Sequence, residues 1–153
     1  MVRLPPALLP VCFLAACAPG STRPAFRPFP QALSSVLAGR PAAVIPEISA
    51  WLQAESVRVA FAHAGDGYLE TDWYDVRTHR SRGTPHLDAT IKIRCWADAD
   101  AQGKFRLTIE PVYRPFSDAS RAPRDLELIP PPEHEGYKIA ERLLEAMQRK
   151  FGG

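Results

Sequence analysis

The sequence predicts an α+β fold, in which a four-stranded antiparallel meander sheet carries two helices packed on one face. Three observations lead to this prediction. Apolar residues recur at three and four positions over residues 44–55 and again over 137–151, as in amphipathic helices. Between them, residues 57–113 alternate between apolar and polar in four runs. A sheet with one apolar face buries that face when both helices pack on it.

Each predicted helix has a start or a stop signal besides its apolar stripe. Pro46 has a fixed φ that suits the first turn of the helix over 44–55. The helix over 137–151 has the clearest periodicity in the chain, and Gly152 ends it. Its stripe consists of Tyr137, Ala140, Leu143, Leu144, Met147 and Phe151. We expect Leu144 to lie at the buried centre of this stripe.

Four strands are predicted between the helices. Residues 57–63 and 68–76 flank a Gly-Asp-Gly turn, a combination typical of a β-hairpin. Residues 87–97 and 105–113 form the third and fourth strands. Residues 114–132 are then a long loop, in which an apolar run at 126–129 could add a short strand.

The alternation assigns some aromatic and charged side chains to the sheet face that points away from the helices. Leu69, Thr71, Trp73, Ile91, Ile93 and Cys95 point inward in this interpretation, whereas Tyr68, Tyr74, Trp96, Glu70, Asp72, Lys92, Arg94, Arg106 and Glu110 point outward. Opposite charges on neighbouring strands would then meet. Exposed Tyr and Trp residues rimmed by charge are typical of protein-binding surfaces. We therefore predict that Tyr68, Tyr74 and Trp96 are exposed and bind a partner.

The loop over residues 77–86 is basic. Arg77, Arg80 and Arg82 lie within six consecutive residues, and the loop also contains two histidines. Such a loop could contact lipid head groups, lipopolysaccharide phosphates or an acidic protein, or could simply be a solvated loop. We include these three arginines among the candidate partner-binding residues.

No constellation in the sequence predicts an enzyme. Cys95 and His63 both point inward in the predicted strands, but the apolar neighbours of Cys95 predict a buried, protonated thiol. The acidic run at 98–100 and the pair His134-Glu135 do not continue into complete calcium or zinc motifs. We therefore predict no catalytic residue, no metal site and no cofactor.

The N-terminus contains an apolar run, residues 4–16, that follows Arg3 and includes three prolines. It is too short to span a bilayer. Its last residues, Leu-Ala-Ala, precede Cys17 and resemble the lipobox of bacterial lipoprotein signal peptides. This resemblance implies cleavage before Cys17 and acylation of that residue, whereas an ordinary secretory signal would be cleaved at the same place and leave a plain thiol. Ala18, in place of Asp, favours the outer membrane by the sorting rule of enteric bacteria.

The predicted organisation follows from this N-terminus. Residues 1–16 are a signal peptide, residues 17–40 are the lipidated cysteine with a proline-rich tether, and residues 41–153 are a single α+β domain. A short helical turn is possible at 31–39. Residues 18–30 alone would reach about 40 Å in an extended proline-rich conformation. The formal net charge of +2 gives no reason to expect nucleic acid as a partner.

A family resemblance depends on the segment Gly67-Tyr-Leu-Glu-Thr-Asp-Trp73, together with the element order and the lipobox. These features are similar to the helix-grip domains of lipoprotein C of the outer-membrane β-barrel assembly machinery. The chain departs from that family in having one such domain instead of two and a much shorter N-terminal segment. The resemblance implies a helix-grip fold and a role in binding envelope proteins.

The sequence thus predicts a non-catalytic protein-interaction module, anchored by acyl chains at the periplasmic face of the bacterial outer membrane, with a role in outer-membrane assembly or maintenance. Its partners would be the membrane and an envelope protein. The alternative is a binder of a small apolar ligand or lipid, held in the groove between sheet and helices.

Overall fold

The computed structural model describes residues 21–101 and 103–152. The predicted signal peptide and Cys17 lie outside the described residues. The elements in chain order are β1 (Leu33–Ala38), α1 (Pro41–Ala54), β2 (Val59–His63), β3 (Tyr68–Thr71), β4 (Trp73–Asp75), β5 (Arg80–Arg82), β6 (Thr90–Ala99), β7 (Lys104–Tyr113) and α2 (Glu135–Phe151).

The predicted α+β class is confirmed, but the count of four strands is not. Within the described residues the sheet is open and antiparallel, with seven strands and two helices. The strand order is β1-β7-β6-β3-β2, and β4 also pairs with β6 and carries β5 on its other side. Neither helix in this part of the chain is long and apolar enough to cross a membrane.

Strand β1 corrects the predicted tether. Residues 33–38, expected to belong to an extended tether or a helical turn, pair antiparallel with β7 and form one edge of the sheet. Leu37 lies opposite Phe105, and both side chains are buried. The strand forms because β7 offers a free edge, a long-range partner that the local sequence does not reveal.

A β-bulge divides the predicted second strand into β3 and β4. Leu69 lies opposite Cys95, whereas Tyr74, five residues later, lies opposite Ile91, only four residues earlier in β6. The β3–β4 side therefore contains one extra residue, which reverses the alternation after it. As a result Tyr74 points into the core and Trp73 points outward, the opposite of the prediction.

Strand β5 lies in the segment predicted to be a loop. The Asp75 carboxylate accepts hydrogen bonds from the backbone N–H groups of Arg77 and Thr78, both at 3.0 Å, and so closes the turn after β4. Arg80 and Arg82 then lie opposite Asp75 and Trp73. The polar composition of β5 hid it, because Arg80-Ser-Arg82 has no apolar alternation.

Both helices pack on one face of the sheet, which we call the inner face. The core joins Ile48 and Leu52 of α1 and Leu143 of α2 to strand residues such as Ile93 and Ile109, all of them fully buried. Because folding removes its apolar surface from water, each such side chain stabilises the folded state by about 1.5–3 kcal/mol. This layer accounts for most of the apolar burial that stabilises the domain.

The helix boundaries differ from the predicted ones in informative ways. Helix α1 begins at Pro41, so Pro41 takes the first position and Pro46 lies inside the helix, where its missing N–H removes one intrahelical hydrogen bond. Helix α2 begins beside β6, and a Cβ on Gly136 would lie 2.2 Å from Ile91 Cγ2. A glycine is therefore needed for this close approach of helix and sheet.

The buried face of α2 is rotated from the predicted one. Its buried residues are Gly136, Ile139, Ala140, Leu143 and Met147, whereas Leu144 is only partly buried. Leu143, which the sequence placed at the margin of the stripe, is at its centre.

This rotation gives a matched pair of variants. We expect Leu143→Ala to lower the free energy of unfolding by about 2–5 kcal/mol, because it leaves a cavity in the core, and Leu144→Ala to lower it clearly less. Urea denaturation of both variants checks this. Equal losses, or a larger loss for Leu144→Ala, would contradict the helix orientation.

Candidate functional site

The three aromatic residues predicted to form an exposed binding surface are buried. The exposed fractions of Tyr68, Tyr74 and Trp96 are 3%, 2% and 4%. Tyr74 points into the core because of the β-bulge. Tyr68 and Trp96 do point to the outer face of the sheet, as predicted, but other parts of the chain cover them. The predicted exposed aromatic surface is therefore wrong.

The main cover is the N-terminal segment, residues 21–31, which crosses the outer face instead of extending away as a tether. Arg23 holds it to the sheet: its guanidinium donates to the backbone carbonyls of Asp66, of Gly67 at 3.3 Å and of Ala97 at 2.9 Å, and it pairs with the Asp98 carboxylate. These contacts fix the segment where β3 and β6 lie side by side.

Gly67 makes this junction possible. Its φ is +60°, and a Cβ there would lie 2.3 Å from the Ala97 carbonyl oxygen and 3.0 Å from Nη2 of Arg23. The backbone N–H of Ala97 donates to the Gly67 carbonyl at 2.8 Å. Any side chain at this position would therefore disturb both the strand pairing and the Arg23 contacts.

Two phenylalanines of the N-terminal segment pack on the outer face. The Phe26 ring lies edge-on to Trp96 with ring centroids 6.5 Å apart. The Arg124 guanidinium lies 4.3 Å from the Phe26 ring centroid and 3.7 Å from that of Phe29, and Arg94 lies 5.0 Å from Phe26. Aromatic and cation–π contacts of this kind stabilise the covered state by about 0.5–2 kcal/mol each.

The second cover is the segment of residues 114–130, predicted to be a loop. Leu128 and Tyr113 exchange two backbone hydrogen bonds of 3.0 Å, so the predicted extra strand at 126–129 is a single bridge. This bridge follows a short 3₁₀ turn at 123–126 and places Glu127 over the outer face. The exposed fraction of Glu127 is 3%.

Between the sheet and these covers lies a buried ion network. Its members are Glu70, Lys92, Arg94, Glu110, Arg114, Arg124 and Glu127. Opposite charges meet across neighbouring strands, as the sequence predicted for Glu70, Lys92, Arg94 and Glu110. Arg114, Arg124 and Glu127 were not predicted, because they come from the covering segment and not from a strand.

Arg94 is at the centre of this network. Its guanidinium donates two hydrogen bonds to the Glu127 carboxylate, at 2.8 and 2.9 Å, in a fork-like geometry, and others to Glu110 and Glu70 at 3.2 Å. These carboxylates raise the pKa of Arg94 in spite of its burial. Arg94 thus connects the sheet to the 114–130 segment.

Glu110 connects the network to the N-terminal segment. Its carboxylate is fully buried, accepts two hydrogen bonds from Arg124 at 2.7 and 2.9 Å, and accepts one from the backbone N–H of Phe29 at 2.7 Å. Arg124 also donates to the carbonyl of Arg27 at 3.1 Å. The N-terminal segment is therefore held by polar contacts at both of its ends.

Glu70 accepts hydrogen bonds from Lys92 at 2.6 Å and from the Tyr68 hydroxyl at 2.8 Å. Burial alone would raise the pKa of this carboxyl, but these bonds and the charges of Lys92 and Arg94 outweigh it and lower the pKa. Burial also raises the pKa of Tyr68 above its usual range. Tyr68 is therefore a hydrogen-bond donor inside the fold.

The three arginines of the predicted basic loop are exposed. Arg80 and Arg82 lie on β5, on the same sheet face as Trp73, and Arg77 lies in the turn before them. Arg82 pairs with Asp75 at 3.3 Å. Arg77 and Arg80 form no ion pair with the described residues. The hairpin of β4 and β5, which we call the basic hairpin, therefore carries exposed positive charge.

A cleft of about 250 Å³ lies next to this hairpin. It is lined by Pro85, His86, Leu87, Arg114, Phe116, Ser117 and Leu126. Leu87 and Phe116 are 49% and 41% exposed, and Arg114 lies 4.9 Å from the centroid of Trp73. We call this the distal cleft. It combines exposed apolar side chains with a cation that also contacts the ion network.

A larger, open cavity of about 580 Å³ is lined mainly by the N-terminal segment, together with Trp96, Asp98 and Thr108. It lies on the outer face, whereas the inner layer between sheet and helices is filled by core side chains. A ligand groove between sheet and helices, the predicted alternative, therefore has no support in this part of the chain.

Cys95 and His63, the pair considered as a possible nucleophile and base, do not lie together in the structure. Cys95 is fully buried, and burial raises the pKa of its thiol well above its usual range, as expected from its apolar neighbours. His63 is half-exposed on the edge strand β2, and its Nδ1 accepts a hydrogen bond from the Asp66 backbone at 3.0 Å. The prediction that His63 points inward is therefore wrong, because a register shift between Val59 and Phe61 places His63 opposite Tyr68, on the outer face of the sheet.

The residues of the two incomplete metal motifs, at 98–100 and at His134-Glu135, make other contacts. His134 caps α2, because its Nδ1 accepts from the Gly136 N–H at 2.9 Å, which leaves Nε2–H to donate to the Asp88 carbonyl at 2.8 Å. Asp98 pairs with Arg23 in the N-terminal segment. In residues 21–101 and 103–152, no group of three or more His, Cys, Asp or Glu side chains is arranged to hold a metal ion.

Comparison with known proteins gives no assignment. No protein-family model matches the chain, and no curated protein matches it significantly in sequence. The argument for function therefore depends on the residues themselves.

The ion network makes the stability of the domain sensitive to acid. Burial alone would raise the pKa of Glu127, but the hydrogen bonds and charges of Arg94, Arg114 and Arg124 lower it below the ordinary 4.5. A carboxyl with a lowered folded-state pKa stabilises the fold above its unfolded pKa, and this stabilisation is lost as the pH falls through the folded value. The loss should begin below about pH 4.5.

Urea midpoints measured from about pH 7 to about pH 3 check this. We expect Glu127→Gln to cost about 3–5 kcal/mol at neutral pH, because it leaves the buried Arg94 without its doubly hydrogen-bonded carboxylate, and to weaken the acid dependence. Glu141→Gln, which changes an exposed carboxylate on α2, should retain the full dependence. An unchanged acid dependence in Glu127→Gln would contradict the network.

Proposed function

We propose that this chain is a lipid-anchored lipoprotein of the bacterial envelope, whose domain is a non-catalytic protein-interaction module. The anchor is supported by the Leu-Ala-Ala-Cys sequence that ends at Cys17. Three acyl chains on that cysteine would bind a membrane firmly, at about 0.8 kcal/mol per buried CH₂ group. Ala18 favours the outer membrane, with the domain on the periplasmic side.

The interaction role is supported by one observation above the others, the exposed apolar pair at the distal cleft. Leu87 and Phe116 leave much of their side chains in water, and Leu87 does so with a φ of +45°, which is unfavourable for a leucine. Exposed large apolar side chains around a cavity are typical of docking sites. The exposed Arg77 and Arg80 of the adjoining hairpin, which form no ion pair with the described residues, would favour an acidic segment of the partner and orient its approach.

This proposal moves the predicted binding surface without changing its chemistry. The aromatic part of the prediction fails, since Tyr68, Tyr74 and Trp96 are covered, whereas the basic part remains exposed as Arg77 and its neighbours. A binding role without catalysis fits the described side chains, because the buried thiol is protonated and the carboxylates of the network are held by arginines. The resemblance to helix-grip lipoproteins of outer-membrane assembly suggests the class of partner, an envelope protein.

Site-specific photocrosslinking in the source bacterium tests this proposal. A benzophenone amino acid in place of Phe116 should give a discrete crosslinked species in the membrane fraction, and Arg80→Glu should reduce it by about tenfold. Phe61, which is 40% exposed on the edge strand β2, is the matched control position and should give much less. Equal crosslinking from both positions, or none from position 116, would contradict a docking role for the cleft.

A further inference from the structure

We propose that the end of the domain formed by residues 64–67, 99–101 and 103 lies close to the lipid bilayer, and that the distal cleft and basic hairpin lie at the opposite end. This inference rests on the proposed acylation of Cys17. It adds which surface the membrane contacts and which surface remains for partners. The occupant of the first surface is the head-group layer of the membrane.

The first step is the place where the chain is fixed to the domain. The Thr22 backbone N–H donates to the Asp66 carboxylate at 2.7 Å, and the Thr22 hydroxyl contacts the same carboxylate. Arg23 then contacts three backbone carbonyls and Asp98. The N-terminal segment is therefore attached from its second described residue onward, at the end of the sheet where β3 begins.

The second step is the length of chain between this attachment and the anchor. Five peptide units separate Cys17 from Thr22, and a fully extended chain of that length spans at most about 18 Å. A free tether to residue 40 would instead reach several times farther. Residues 18–21 thus form a short linker, which we call the leash, between the acylated cysteine and the attached Thr22. This linker keeps Asp66 and the neighbouring turn close to the head groups.

The third step is the direction of the sheet. Arg23 contacts Ala97, which is seven residues from Thr90 in β6, a separation of about 23 Å. Leu87 of the distal cleft lies three residues before Thr90, and Arg114 of the same cleft follows Tyr113, which lies opposite Ile91. The basic hairpin follows Asp75, which lies opposite Thr90. The anchor and the candidate docking site are therefore at opposite ends of the sheet.

Most of the acidic charge at the leashed end is compensated. Carboxylates would be repelled by anionic lipids, but Asp98 pairs with Arg23 and Asp100 pairs with Arg106 at 3.5 Å, while Asp66 accepts hydrogen bonds from Thr22. Neutralised acids add little repulsion, so the leash can bring this end to the membrane without a large electrostatic cost.

Energy transfer to a labelled membrane tests the arrangement. Full-length acylated protein, with acylation verified by mass spectrometry, is reconstituted in phosphatidylethanolamine vesicles that contain phosphatidylglycerol and a head-group acceptor dye. A donor dye is attached to Ala101→Cys at the leashed end or to Thr78→Cys at the hairpin. Cys95 is buried and should not react. We expect transfer from position 101 to exceed that from position 78 by about twofold or more, given the separation along β6.

Two further variants let the domain move farther from the membrane, one by a longer linker and one by the loss of an attachment. Insertion of about twelve Gly and Ser residues between Gly20 and Ser21 should lower transfer from position 101 by about twofold, because the reach grows with linker length. Arg23→Gln should lower it by releasing the attachment, whereas Arg149→Gln, which changes an exposed arginine on α2, should not. Equal transfer from both label positions, or no effect of the insertion, would overturn the inference.

Failure of the underlying proposal would look different. Cys17→Ser should abolish association with the vesicles altogether, since the acyl chains are the anchor. If Cys17→Ser protein binds the vesicles as well as the parent does, the lipid anchor itself is wrong. If only the acylated parent binds but its two label positions report equal distances, the anchor stands and the proposed orientation fails.

Discussion

The pairing of Arg94 with Glu127 is the interaction on which the rest of the outer face depends. Two hydrogen bonds join Arg94 of β6 to Glu127 in the segment that follows β7. Arg94 also donates to Glu110, which accepts a hydrogen bond from the backbone N–H of Phe29. Because these charges are buried, losing one partner costs far more than the pair contributes over an apolar alternative. The network therefore specifies which segments cover the sheet more than it adds to stability.

This constraint turns a two-layer sheet and helix domain into a three-layer one. The helices bury the inner face by ordinary apolar packing, while the outer face is closed by the N-terminal segment and residues 114–130 over charged and aromatic side chains. The covered aromatic residues are then part of the core, and the free surface moves to the ends of the sheet. One end is tied to the N-terminal segment by Arg23, and the other carries the distal cleft, so the proposed anchor and the proposed docking site are spatially separated.

The sequence predicted the inner half of this structure and missed most of the outer half. Both helices, the strands over β6 and β7 and the buried Cys95 follow from local periodicity. The bulge between Thr71 and Tyr74 does not follow from it. The alternation of apolar and polar residues continues through the extra residue, so the sequence assigns Trp73 and Tyr74 to the wrong faces of the sheet. The docking of Phe26 and Phe29 does not follow from local periodicity either, since a proline-rich segment without periodicity looks like a tether when its partners, such as Arg124, are distant in sequence. The charge pairs across the strands were predictable, but their burial was not.

Amide hydrogen exchange at Phe29, followed by NMR in the full domain, tests the central claim most directly. That N–H donates to the buried Glu110 carboxylate at 2.7 Å, which can happen only if the N-terminal segment lies on the sheet. The account predicts exchange at least about a hundredfold slower than in an unstructured chain, corresponding to local opening that costs roughly 3 kcal/mol. Exchange at the unstructured rate would show that residues 21–31 are a free tether and that the outer face is open to partners.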